Sequence, residues 1–274
     1  MRPGCWFFVT VFALAAIRTR AQQPTASGGD LTRSRFQWPD GKRVAVSLTF
    51  DDSRLSQIDT GLAVLEKEGV KVTFYVQAPR VQERLEGWKK AVAEGHEIGN
   101  HTLTHPCTGN YPFSRANALE DSSLKRMAQE MDGNNRKIQG LLGVTPRDFA
   151  YPCGQKFVGR GASTRSYVPL VAARFLSGRG YLDEAANDSS FVDLAQAMGT
   201  PFDDLDFAQM KSIVDDAAKT GRWVIFVGHE MGQRAFQTTD VHALTQLCEY
   251  LKDPANGVWL GTVEQIASYV RSHR

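Results

Sequence analysis

Val44, Val46, Leu48 and Phe50 alternate with Ala45, Ser47 and Thr49, and the run ends at two adjacent carboxylates, Asp51 and Asp52. This period-two pattern predicts a buried strand. Residues 57–69 place Ile58, Leu62 and Leu65 on one helical face and stop at Gly69, a helix with a glycine C-terminus. Residues 71–77 predict a second strand, 81–95 a helix, and 97–100 a short strand leading into His101-Thr102-Leu103-Thr104-His105. A long helix is expected over 114–142, with Gly133 as the place where it could bend. A strand follows at 148–151. Between 153 and 206 the pattern weakens to a helix at 168–176 and a loop with short strands at 178–194. Helices are then predicted at 207–219, 240–251 and 263–270, and strands at 222–228 and 257–261. Strands alternating with helices predict an α/β architecture with a parallel sheet.

The 274 residues suffice for one large domain, and 42% hydrophobic and 23% charged residues are ordinary for a globular chain. Residues 1–21 change the picture. They have a cationic start, an apolar core from Cys5 to Ile17, and small residues at Thr19 and Ala21, the pattern of a secretory signal peptide. The apolar run falls short of the ~20 residues a span needs. Export without stable membrane insertion is expected, to a secreted or periplasmic location. Loss of Arg2, Arg18 and Arg20 takes the formal charge from +2 to −1, leaving no basic run to suggest nucleic acid. Residues 22–37, with Pro24 and a Ser-Gly-Gly, read as a flexible linker. Residues 38–274 are then the folded unit, close to the ~250 residues of a β/α barrel.

Four polar clusters directly follow predicted strands: Asp51-Asp52, His101 to His105, Pro152-Cys153-Gly154, and His229. Barrel chemistry sits at those carboxyl ends. Neighbouring strand residues point to opposite faces, so the two aspartates are expected to differ, one holding a cation and one moving a proton. Phe202-Asp203-Asp204 follows a proline and opens a helical stretch, and reads as a capping pair. His101 and His105 are spaced to share one side of a helical turn or tight loop. With one carboxylate they form a set that keeps coordination positions open, suited to catalytic zinc or to non-haem iron. His96, His242 and His273 read as ordinary core or surface residues.

Thr49-Phe50-Asp51-Asp52 followed by His101-Thr102-Leu103-Thr104-His105 resembles the first two motifs of the polysaccharide deacetylases, the NodB-like group also called carbohydrate esterase family four. Ala150-Tyr151-Pro152-Cys153-Gly154 resembles the third motif, and Ile225-Phe226-Val227-Gly228-His229 the fifth. The resemblance implies a distorted (β/α) barrel of the glycoside hydrolase/deacetylase type. It implies removal of acetyl groups from N-acetylhexosamine residues of a glycan with a divalent metal, zinc first, with Co2+, Ni2+ or Fe2+ also admissible. Carried over by position, Asp52, His101 and His105 bind the metal and Asp51 is the general base. The Cys153 backbone N–H would serve the oxyanion, and His229 would protonate the leaving amine.

Three positions depart from the family pattern. Ala150 stands where an Arg usually pairs with the base, and Arg179 is expected to replace that charge, with Arg174 the second candidate. The Asp of the fourth motif, which orients the acidic His, has no clear match; Asp183, Asp188 and Asp193 are candidates. Cys153 replaces an aromatic. It also lies at the barrel rim expected for Cys107, two residues after His105, so a Cys107–Cys153 disulfide is expected, with Cys248 a buried thiol. The alternatives are an O-acetyl esterase acting on a xylan-type polymer and a non-catalytic glycan-binding relative. The sequence leaves the glycan and the oligomeric state open.

Overall fold

The computed structural model describes Met1 and residues 36–274. Apart from Met1, the expected signal peptide at 1–21 and the linker residues 22–35 lie outside the described residues. Eight parallel strands form the main sheet: β1 (Val44–Asp51), β2 (Thr73–Val76), β3 (Glu97–Asn100), β4 (Asp148–Ala150), β5 (Ser177–Arg179), β6 (Thr200–Pro201), β7 (Trp223–Gly228) and β8 (Val258–Leu260). Their order is β5-β4-β3-β2-β1-β7-β6, with β8 also beside β1. β8 pairs with the first half of β1 and β2 with its last three residues. A parallel bridge from Arg179 to Ala197 brings the segment before β6 back against β5. The sheet thus curls into a distorted (β/α) barrel, as expected.

Both faces of β1 are buried, and they do different work. Val44, Val46, Leu48 and Phe50 pack outward with Leu62, Leu65, Met210, Val214, Leu244 and Leu247 of the surrounding helices. Each such side chain fully buried contributes about 1.5–3 kcal/mol. The other face carries Ala45, Ser47, Thr49 and Asp51. Here Thr49 donates to the Phe226 carbonyl at 2.6 Å and Ser47 accepts from the Trp223 indole at 3.1 Å. That face is small and polar, and it ends at a carboxylate.

The helices match the pattern with shifted ends. A π-helical turn at Gln57–Gly61 runs into Leu62–Glu68 and stops at left-handed Gly69. The expected helix over 114–142 begins only at Leu124, capped by Ser123, and ends at Leu142. The residues before it form two 3-10 segments, Pro112–Asn117 and Leu119–Asp121. Gly133 lies within the continuous helix and does not bend it; a Cβ there would make only ordinary contact with Leu103 at 3.6 Å. The helix expected at 168–176 spans Val168–Ala172. The Asp203-Asp204 reading is corrected: the helix Phe207–Thr220 is capped by Asp206, whose side chain accepts from the Gln209 N–H.

Candidate functional site

The carboxyl ends of the strands open into a cleft of about 500 Å³ containing Asp51, Asp52, His101, His105, Cys153 and His229. Six of the seven site residues expected from the sequence therefore meet in one place. The seventh, Arg179, is fully buried and pairs with Asp51.

Asp51 and Asp52 do not diverge by strand pleating, which corrects the opposite-face expectation. Asp51 is the last residue of β1, and Asp52 has φ 75°, a left-handed turn that brings its side chain into the cleft as well. Asp52 Oδ1 lies 3.4 Å from His101 Nε2 and 3.3 Å from His105 Nε2. The histidines sit on a tight loop, not a helix, with Thr102 and His105 at positive φ and their rings 4.8 Å apart. Asn100 accepts from the Thr102 N–H at 2.7 Å, and Glu130 accepts from the Leu103 and Thr104 N–H groups at 3.1 and 2.8 Å. These bonds compensate the strained backbone.

The donor set suits a divalent cation. One atom each from Asp52, His101 and His105 converge within 4.8 Å. His101 Nδ1 donates to the Ala150 carbonyl at 2.9 Å, which fixes the ring with Nε2 turned toward Asp52. Burial, with His101 beside it, lowers the His105 pKa to about 4, so that imidazole is neutral as a ligand must be. Burial pushes Asp52 up. Its hydrogen bond with His101 and the nearby His105, His101 and His229 outweigh this and hold it well below the usual range. Asp52 Oδ2 is occupied separately: Arg54 donates to it through Nη2 at 2.8 Å and Nε at 3.1 Å. Arg54 is a site residue that sequence reasoning missed.

Arg179 explains how the site tolerates Ala150. The two residues are cross-strand partners in the β4–β5 register. A cation on β5 therefore replaces one on β4 at the same height. Its Nη2 donates to Asp51 Oδ1 and its Nη1 to the Gly180 carbonyl at 2.9 Å, while the guanidinium lies 4.7 Å from the Tyr75 ring centre. Gly199 makes room for it, since a Cβ there would sit 2.4 Å from Arg179 Cδ. Arg174, the second candidate, pairs with Asp132 instead.

The partner of His229 is Asp203. Its Oδ2 accepts from His229 Nδ1 at 2.6 Å, and its Oδ1 from the His229 N–H at 3.1 Å and the Thr239 hydroxyl at 2.8 Å. None of the three expected aspartates does this. Asp183 accepts from Gly199 N, Asp188 from Ser190 N, and Asp193 from Ala195 N. Burial works against the charged imidazole, but the Asp203 bond and the Asp51, Asp52 and Asp203 carboxylates raise the His229 pKa. Cys153 has φ 53° and bonds covalently to Cys107, with Cα atoms 6.0 Å apart, so the expected disulfide ties the loop after β4 to the histidine loop. Cys248 is a buried free thiol, and burial pushes it up to about 12. His96 is a core residue that accepts from the Val72 N–H.

Residues 39–165 match the family described as polysaccharide deacetylase. That stretch carries a polysaccharide deacetylase domain. The matched stretch holds both aspartates, both histidines and Cys153, while Arg179, Asp203 and His229 come from beyond it. Over 108 residues the chain is 40% identical to a chitooligosaccharide deacetylase of Sinorhizobium fredii, covering 38% of this chain and 49% of that protein. The chain spans between 5% and 49% of the length of such curated relatives. A structure assigned as a polysaccharide deacetylase from Mycobacterium smegmatis superposes with a TM-score of 0.64 at 16% identity, over 87% of this chain and 93% of that one. A family 4 acetyl xylan esterase from Clostridium thermocellum gives 0.54 at 21% identity, over 82% and 91%. At such identities the structural likeness speaks for the deacetylase fold alone.

Proposed function

We propose that the protein is a metal-dependent hydrolase that removes N-acetyl groups from N-acetylhexosamine residues of a glycan. The observation that carries this reading is the convergence of Asp52 Oδ1 with the Nε2 atoms of His101 and His105 at 3.4 and 3.3 Å, beside a second carboxylate held by Arg179. Asp52, His101 and His105 would hold a divalent cation, zinc being the first choice for this donor set. Such a cation would supply Lewis acidity toward the acetyl carbonyl and lower the pKa of a water toward ~7.

The remaining steps belong to the chain's own residues. Asp51, kept in place by Arg179, takes the proton of the attacking water. The Cys153 N–H, on the loop that the disulfide ties to the histidine loop, would serve the developing oxyanion. His229, oriented by Asp203, gives its proton to the departing nitrogen. An amine leaving group needs that proton more than an alcohol does, so the buried His229–Asp203 pair favours the amide over the O-acetyl ester. The relative's acetylated chitooligosaccharide and the apolar rim of the cleft fit a sugar substrate. The apolar segment 5–17 and the Cys107–Cys153 bridge favour a location outside the cytoplasm, secreted or periplasmic.

Acetate release decides the matter. Metal-free protein given a panel of N- and O-acetylated glycans should be inactive, and activity on the N-acetylated members should appear on adding Zn2+ or Co2+. Release that is indifferent to chelation, or confined to O-acetyl xylan, would overturn the reading.

A further inference from the structure

Gln57, the first residue of the π-helical turn Gln57–Gly61, is a fully buried polar side chain beside the site. Its amide nitrogen lies 2.6 Å from the Asp51 carbonyl oxygen and 2.9 Å from that of His229. Two acceptors at one nitrogen take both N–H donors of the amide, which fixes how the side chain is turned. The other end, Oε1, is buried and has no partner among the described residues. A side chain kept for stability alone would not strand its own carbonyl away from water. What the nitrogen holds is therefore the point.

The strand register shows what that is. β1 and β7 pair in parallel from Ala45–Trp223 to Phe50–Gly228, and the ladder stops there. Asp51 and His229 are the next residues along, so the assigned base and acid leave the ladder side by side. Gln57 bridges the two segments at this point. Its neighbours work in the same direction. Ser56 Oγ accepts from the Met231 N–H at 2.9 Å, and the same hydroxyl donates to Glu230 Oε2. Gly61 lets the turn lie close, since a Cβ there would sit 2.1 Å from Met231 Sδ. The chain after the base is thus fastened to the chain at and after the acid. Without the amide, two buried carbonyl oxygens lose a donor and face one another with like partial charge. The two segments would move apart and carry base and acid with them.

We propose that Gln57 is a positioning residue for the deacetylation, one side-chain amide setting the spacing between the base Asp51 and the acid His229. It acts through these two residues and not on the substrate. The proposal rests on the deacetylase reading for their roles, and on the geometry alone for the spacing.

The test compares the wild type with Gln57→Met, which keeps the length of the side chain and removes both donors. Crystal structures of the two proteins measure the gap between the Asp51 carboxylate and the His229 ring. Kinetics use zinc-loaded protein with fully N-acetylated chitotetraose as the probe. The gap should widen by about 1 Å, and kcat should fall about 10²-fold with KM held within about twofold, the effect of a misplacement on that scale. Bound zinc should stay at the wild-type level, because Asp52, His101 and His105 are untouched. Gln57→Asn, one methylene shorter, reaches at most one carbonyl and should show an intermediate loss; it carries the test if Gln57→Met does not fold. Leu65→Ala, a core deletion on the helix that the turn runs into, controls for lost stability: it should melt earlier and keep the wild-type kcat. An unchanged gap, an unchanged kcat in an active enzyme, or a kcat loss that Leu65→Ala reproduces overturns the proposal. If the gap widens while the wild type releases no acetate from any acetylated glycan, the deacetylase reading fails and the clasp between the two residues stands.

Discussion

Two pairs of carboxylates sit at opposite ends of the same barrel and are given opposite surroundings. At the carboxyl end, Asp51 is paired with Arg179, and Asp52 with Arg54 and two imidazoles. At the amino end, Glu97 and Asp148 begin the neighbouring strands β3 and β4. No Lys, Arg or His pairs with either among the described residues. Burial raises both, well above the usual range for Asp148, and the Glu97 charge raises Asp148 further. Asp52 is buried too, yet it is lowered. Burial alone therefore does not decide whether a carboxylate is charged; the cations placed around it do. Among the described residues, Arg179 and Arg54 bring their charge to the carboxyl-end pair.

Breaking the upper pair should have the largest effect. Asp52→Ala removes one of three converging donors, so bound metal should be lost and activity with it. Asp51→Asn leaves those donors in place, so metal content should stay near wild type while acetate release falls by ~10²–10⁴, the contribution of a positioned base. Metal analysis and acetate assays on both variants separate the two roles. If Asp51→Asn loses the metal and Asp52→Ala keeps it, the assignment is reversed.

Next in size is the acid. Asp203→Asn keeps shape but removes the carboxylate that raises His229. The group's elevated pKa keeps it protonated to higher pH, so the alkaline limb of the rate profile should move to lower pH in the variant. The rate near neutrality should fall by about 10²-fold. An unmoved alkaline limb would mean that His229 is not the acid. Arg54→Met should cost somewhat less. It releases Asp52 Oδ2 from the two bonds that orient it, and losing such a supporting contact typically weakens metal binding about 10- to 100-fold. Competition with a chromogenic chelator reads this directly.

The asymmetry also explains what was legible in the sequence. β1 could be read because apolar period-two alternation ends at Asp51-Asp52, and the histidine loop because two imidazoles follow a short strand. Cys107 and Cys153 could be paired because each lies beside a motif at one rim. Asp203 could not: it follows a two-residue strand, and its Pro-Phe-Asp-Asp context is that of a helix start until the sheet carries β6 beside β7. Arg54 follows Asp52 by two residues, and nothing local says that it folds back onto it. Arg179 was readable only as a charge that had to come from somewhere. The left-handed Asp52 escaped because pattern reading assigns side-chain direction from an ideal pleat. Glu97 and Asp148 gave no sign that they meet, since strand adjacency across 51 positions is a property of the sheet.

The lower pair yields the smallest effect and the cleanest sign. Ser177 donates to Asp148 Oδ1 at 2.5 Å, and Thr73 and the Glu264 N–H donate to Glu97 Oε2 at 2.9 and 2.8 Å. The other two oxygens, Asp148 Oδ2 and Glu97 Oε1, have no donor, and one proton shared between the two carboxylates would satisfy both. A raised pKa in the folded state means the folded form binds that proton more tightly than the unfolded chain does. The associated stability is fully present below the unfolded pKa of about 4 and is lost as pH climbs toward the folded value. Asp148→Asn replaces the shared proton with a permanent amide N–H that can donate to Glu97 Oε1, while its Oδ1 still accepts from Ser177. The variant should therefore match wild type near pH 4 and exceed it by about 1–3 kcal/mol at pH 8, the scale of one buried polar group relieved. Denaturant melts at the two pH values check this. A variant less stable than wild type at pH 8 would show that the lower carboxylates are charged and held by partners.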